Sequence, residues 1–122
     1  MPTADHEIDL KIQQGPDGKP YAALMNMPAQ MKIGETVHFR SANGLVIVKY
    51  NKRDQAVPPS KFRSPFVHEG TDQEKRVVRS TDPPLKLSHA GNFLAACSIT
   101  PVGSGPVPSD YGGGGNTVVR GS

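Results

Sequence analysis

A single cysteine, no tryptophan, and only four phenylalanines and three tyrosines stand among the 122 residues of this chain. One cysteine excludes an internal disulfide, so nothing covalent staples the fold. No apolar run approaches the ~20 residues that a membrane-spanning helix needs. Helix-length windows free of breakers are few, because 12 prolines and 13 glycines are spread along the chain; the longest read as strand and as a charged segment. The formal net charge of +3 is too mild to point to nucleic acid. Residues 1–10, MPTADHEIDL, lack a charged-then-apolar leader, which fits either a cytoplasmic chain or one whose leader has been trimmed. The terminal Arg120-Gly121-Ser122 could be native or a vector-derived tail.

The alternation that remains is of strand type. Ile8, Leu10 and Ile12 alternate with Asp9, Lys11 and Gln13, giving one buried and one wet face. Gly15 to Pro20 reads as a turn, and residues 21–25 and 31–33 as short extended segments. Gly34-Glu35 leads into the alternating strand 36–40. Asn43-Gly44 then gives a strong hairpin signal, so 36–40 and 45–50 are expected to pair. Residues 75–79, 91–100 and 117–119 are further strand candidates. Short strands separated by turns predict a single all-β domain over 1–122, an antiparallel β-sandwich or barrel. A chain of this length buries roughly two thirds of its unfolded surface.

Four stretches carry a family likeness. "YAALMNMPAQMKIGETVHFRSANG", "FVHEGTDQEKRVV", "HAGNFLAACSI" and "GGGGNTVV" together resemble, in order and spacing, the cupredoxins, the β-sandwiches of plastocyanin and azurin type. The resemblance implies a cupredoxin-like sandwich in a periplasmic or extracellular setting. In that family a thiolate, two imidazoles and a long axial thioether hold copper. By the resemblance Cys97 occupies the copper-cysteine position as a vestige. The first imidazole position falls in Leu45-Val46-Ile47-Val48, and the second imidazole and the thioether fall in residues 98–105; neither stretch holds a His or Met. The resemblance thus implies the fold and, residue by residue, denies the blue-copper site.

Three groups of residues remain as candidates. Cys97 follows Phe93-Leu94-Ala95-Ala96, which favours a buried, protonated thiol; a nucleophile would need His38, His68 or His89 brought beside it by the fold. His38 should point outward, opposite Val37 and Phe39. Met25, Met27 and Met31 could offer soft thioethers to Cu(I), with Met25 and Met27 on one strand face, or could serve as flexible packing residues. Lys52, Arg53, Lys61 and Arg63 lie in a proline-bearing stretch with one acid, Asp54, and could dock an acidic protein surface or stay solvated. Gly112–Gly115 lacks the Lys-Ser/Thr and helix of a phosphate loop. The acids at 5–9 and 69–74 read as solvent-facing, with no catalytic spacing. The expectation is a non-enzymatic binding domain without cofactor, engaging a protein partner or a second copy of itself through loops 51–65 and 101–115. The alternative is Cu(I) binding or delivery through Met25, Met27 and Met31.

Overall fold

Apolar side chains at every second position build most of the strands of the structure, a computed structural model that describes residues 4–26, 28–51, 64–68, 70–71, 73–108 and 116–121. In β1 (His6–Gln14) Ile8 and Leu10 are buried and Ile12 packs against the core. Gly18, at a φ of 81°, closes the turn into β2 (Pro20–Leu24). Then come β3 (Met31–Lys32), β4 (Thr36–Arg40), β5 (Leu45–Asn51), β6 (Val77–Arg79), β7 (Leu85–Lys86), β8 (Gly91–Thr100), β9 (Val107–Pro108) and β10 (Asn116–Arg120). No helix occurs among the described residues, and so none there is long and apolar enough to cross a membrane.

The strands form two sheets. One has the order β2-β1-β4-β7; the other runs β3-β10-β8-β5-β6, with β9 also paired to β8. Buried side chains from both sheets form one core, among them Ile8, Leu10, Val37 and Phe39 from the first and Val46, Val48, Cys97 and Ile99 from the second. Each fully buried Val, Ile or Phe contributes about 1.5–3 kcal/mol, so the shared core holds the two layers together. Phe66 packs edge-on against Tyr50, ring centroids 5.9 Å apart. Buried Ser64 fixes the chain entering this contact: its hydroxyl donates to the Lys75 carbonyl at 2.7 Å and accepts the Phe66 amide at 3.2 Å.

The all-β sandwich agrees with the sequence pattern, but two features differ from it. The sheets are mixed rather than antiparallel throughout: β1 runs parallel to β4, and β10 parallel to β3. The expected hairpin of 36–40 with 45–50 does not form, because β4 and β5 belong to different sheets. Asn43-Gly44 instead turns the chain from one sheet to the other. The Asn43 side chain accepts the Ile12 amide at 3.0 Å, on the edge of β1 that β4 has left. Gly44 has a φ of 156°, and a Cβ there would stand 2.3 Å from the Thr100 carbonyl oxygen. The glycine serves a close backbone approach, not a tight two-residue turn.

Substituting Gly44→Ala is therefore expected to destabilise the fold by about 3 kcal/mol. Gly18→Ala meets no atom within 4 Å and should cost only the backbone strain of about 1 kcal/mol. Urea denaturation of both variants checks this; equal losses would show that the Thr100 contact is unimportant.

Candidate functional site

The β5–β8 ladder decides where Cys97 points. Its register pairs Val46 with Ile99, Val48 with Cys97 and Tyr50 with Ala95, and all six are buried. Cys97 is 4% exposed within the apolar core, as a small apolar side chain would be. Of the imidazoles that could have joined it, His38 lies on the outer face of the other sheet. His68 is exposed, and His89 Nε2 sits 3.9 Å from Glu74 Oε1. Among the described residues, no group of three or more His, Cys, Asp or Glu side chains is placed to hold a metal ion.

The methionines occupy unlike surroundings. β2 ends at Leu24, so Met25 stands in the bend beyond it, 45% exposed. Gln13 Nε2 donates weakly to its sulfur at 3.6 Å. Met25 is thus not the core residue that simple packing predicts. Met31 is: it lies on β3 opposite Val119, 2% exposed. Met27 lies outside the described residues, as do Lys52, Arg53, Lys61 and Arg63. Of the two loops expected to meet a partner, Ser64 and Pro65 at the end of the first are buried. The second exposes residues 102–106, with Val102 wholly in solvent.

Two surface arrangements emerge that the sequence does not announce. On the outer face of the four-stranded sheet, the parallel β1–β4 register sets Glu7 beside His38 and Asp9 beside Arg40. His38 Nδ1 is 2.9 Å from Glu7 Oε2, and Nε2 is 3.0 Å from the Ser80 carbonyl oxygen. Ser80 is in turn bound to β5, donating its amide to Val46 O and accepting the Val46 amide on its hydroxyl. His38 therefore ties one sheet to the other. Arg40 Nε donates to Asp9 Oδ1, and the guanidinium holds the Asp9 carboxyl below its usual range. His6, 3.2 Å from Glu35 Oε1, and the Lys32 amide together lower the Glu35 carboxyl likewise. Glu7 and His38, like Asp9 and Arg40, are 31 residues apart in sequence, and the sheet register joins them.

On the opposite side, the outer face of the six-stranded sheet holds an open cleft of about 450 Å³. Ile47, Lys49, Ala96, Ser98 and Thr100 form its floor and one side, with the 4%-exposed Cys97 between Ala96 and Ser98; Pro106 and Pro108 form the other side. The same β5–β8 register that turns Cys97 inward turns these side chains out. β9, paired to β8 through Ser98↔Pro108, raises the proline wall. This arrangement can seat an apolar group beside an ammonium.

Comparison with protein-family models, with curated proteins and with solved structures finds no match.

Burial of the His38 ring opposes its protonation, but the Glu7 carboxylate and the Ser80 carbonyl outweigh it, so its affinity for a proton is raised above the ordinary 6.5. Both ring nitrogens face acceptors, and only the imidazolium donates to both. Because the folded value exceeds the unfolded one, this stabilisation is full below about pH 6.5 and is lost as pH rises through the folded value. The loss of melting temperature caused by His38→Gln should accordingly be larger at about pH 5.5 than at about pH 8.5. Thermal melts across that range check it, and a loss independent of pH would remove His38 from the linkage.

Proposed function

We propose that the chain is a cupredoxin-like Greek-key sandwich acting as a non-catalytic binding domain, without a type 1 copper site, in a periplasmic or extracellular setting. Its partner is a protein, or a second copy of itself, with an acidic surface. The observation that carries this reading is the inward orientation of Cys97 opposite Val48, within the buried hydrophobic cluster and, among the described residues, outside any group of three or more His, Cys, Asp or Glu side chains. The strand connections support the topology, since the chain changes sheet between β2 and β3, β3 and β4, β4 and β5, β6 and β7, and β7 and β8. The exposed 102–106 stretch, with its bare valine, supports display of a binding loop on a rigid scaffold. Glu7, Asp9, His38 and Arg40 on the four-stranded face are engaged with one another, which favours a structural over a catalytic role for them.

The Cu(I) alternative retains one feature in its favour, the exposed thioether of Met25, while the burial of Met31 separates it from that role. Anaerobic titration with Cu(I) against a competing chelator, followed by Cu(II), tests both readings of the metal chemistry. The expected result is no tight uptake and no visible thiolate-to-copper band. Tight Cu(I) uptake that Met25→Leu with Met27→Leu abolishes would establish the methionine site instead, and a strong Cu(II) band would restore a copper role for Cys97.

For the partner, the immobilised domain is compared with its fourfold reversal at Lys52, Arg53, Lys61 and Arg63 to Glu. A protein retained by the first and lost by the second, with circular dichroism unchanged, is the expected outcome. Identical retention by both would show that the basic stretch is only a solvated loop.

A further inference from the structure

The cleft over the β5–β8 ladder has a lining of one consistent chemistry. Ile47 and Ala96 supply an apolar floor, and Pro106 and Pro108 an apolar wall. The prolines have no N–H to offer a ligand, so that wall suits hydrocarbon. Lys49 is the single charged residue of the described lining, and no carboxylate accompanies it. The hydroxyls of Ser98 and Thr100 can donate to or accept from a polar head. Behind the cleft, the strands of this sheet carry Lys32, Lys49, Arg79 and Arg120 and no Asp or Glu; the only carboxylates on any described strand are Glu7 and Asp9, in the other sheet.

We propose that this cleft binds a small amphipathic monocarboxylate, its carboxylate on Lys49 and its apolar body between Ile47, Ala96 and the Pro106–Pro108 wall. The volume of about 450 Å³ lies near the small end of the range of about 300–1,000 Å³ typical of ligand pockets, which fits a compact acid and not a large cofactor. With one ammonium in the lining, a monoanion is matched, whereas a second charge would be left without a cation. An amine of the same shape would meet Lys49 as a like charge. The apolar floor gives an acid with an extended hydrocarbon body the advantage over a short one. The site makes no use of the basic stretch at 52–63 and does not rest on the protein-partner reading.

The probe is 4-phenylbutyrate, with butyrate and 4-phenylbutylamine as controls, followed by backbone amide NMR of the labelled chain. Phenylbutyrate should shift the amides of Ile47, Lys49, Ala96, Ser98 and Thr100 saturably, with a dissociation constant of about 1 mM or below. Butyrate should bind more weakly, and phenylbutylamine should leave these amides unmoved. Lys49→Gln, a change at an exposed position, should weaken binding about fivefold. Ala96→Phe, also at an exposed position, should abolish it by filling the floor while leaving the circular dichroism spectrum intact. Shifts scattered over the surface, shifts that fail to saturate, equal binding of the amine, or binding unaffected by Ala96→Phe would each overturn the proposal. None of those results would alter the comparison at residues 52–63, so the two readings fail separately.

Discussion

The seven-residue antiparallel register between β5 and β8, from Leu45↔Thr100 to Asn51↔Leu94, is the constraint on which the rest of the molecule depends. Side chains on a strand alternate with a period of two, so one pairing fixes two surfaces at once. Val46, Val48, Ala95, Cys97 and Ile99 go to the interior, and Ile47, Lys49, Ala96 and Ser98 go to the cleft. A slip of one residue in β8 would exchange its faces, sending Ser98 and Ala96 inward and Cys97 out beside Lys49. The core strongly disfavours that slip, because it would expose Ile99, now fully buried. The inward position of the cysteine and the chemistry of the outer cleft are thus two consequences of one register.

The other sheet depends on β1, which divides its pairing. Its first half runs parallel to β4, and its second half antiparallel to β2. Each half leaves backbone groups unpaired on one edge, and two asparagine side chains meet them. Asn26 accepts the Asp9 amide at 2.7 Å and donates to the Glu7 carbonyl at 2.8 Å, acting as a peptide unit would. Asn43 accepts the Ile12 amide on the opposite edge. A short amide side chain thus continues the edge pairing at each point where a neighbouring strand departs.

The strand positions were legible in the sequence because burial imposes alternation. The segments 36–40 and 91–100 are strands from end to end, and the turn at Gly34 has the positive φ, 97°, that favours glycine. Pairing was less legible. Asn43-Gly44 carries the composition of a hairpin turn, yet its glycine is required by the Thr100 backbone lying against it, a contact made across 56 positions of sequence that local composition does not encode. The candidate site was read in part. The outward direction of His38 follows from its neighbours Val37 and Phe39, but its partners Glu7 and Ser80 follow only from the parallel register and the approach of a distant turn. Met25 was placed on a strand by pattern, whereas the strand ends one residue earlier. The cleft had no local signal, since its lining joins Ile47 and Lys49 of β5 to the distant β8 and to Pro106 and Pro108.

The two outer faces differ in how their charges are used. On the four-stranded face Glu7, Asp9, His38 and Arg40 form a closed set, each within reach of an opposite partner. Such pairs are directional, tie strands together and neutralise one another's charge. On the six-stranded face the strands bring cations without strand-borne carboxylates, and Lys49 lies at the edge of an apolar hollow. An ammonium beside hydrocarbon attracts an anion more strongly than one facing open water, because the apolar walls lower the local screening. The faces therefore divide the work: the four-stranded sheet uses its charges to register β1 against β4, and the six-stranded sheet keeps the surface whose charge a ligand can still complement.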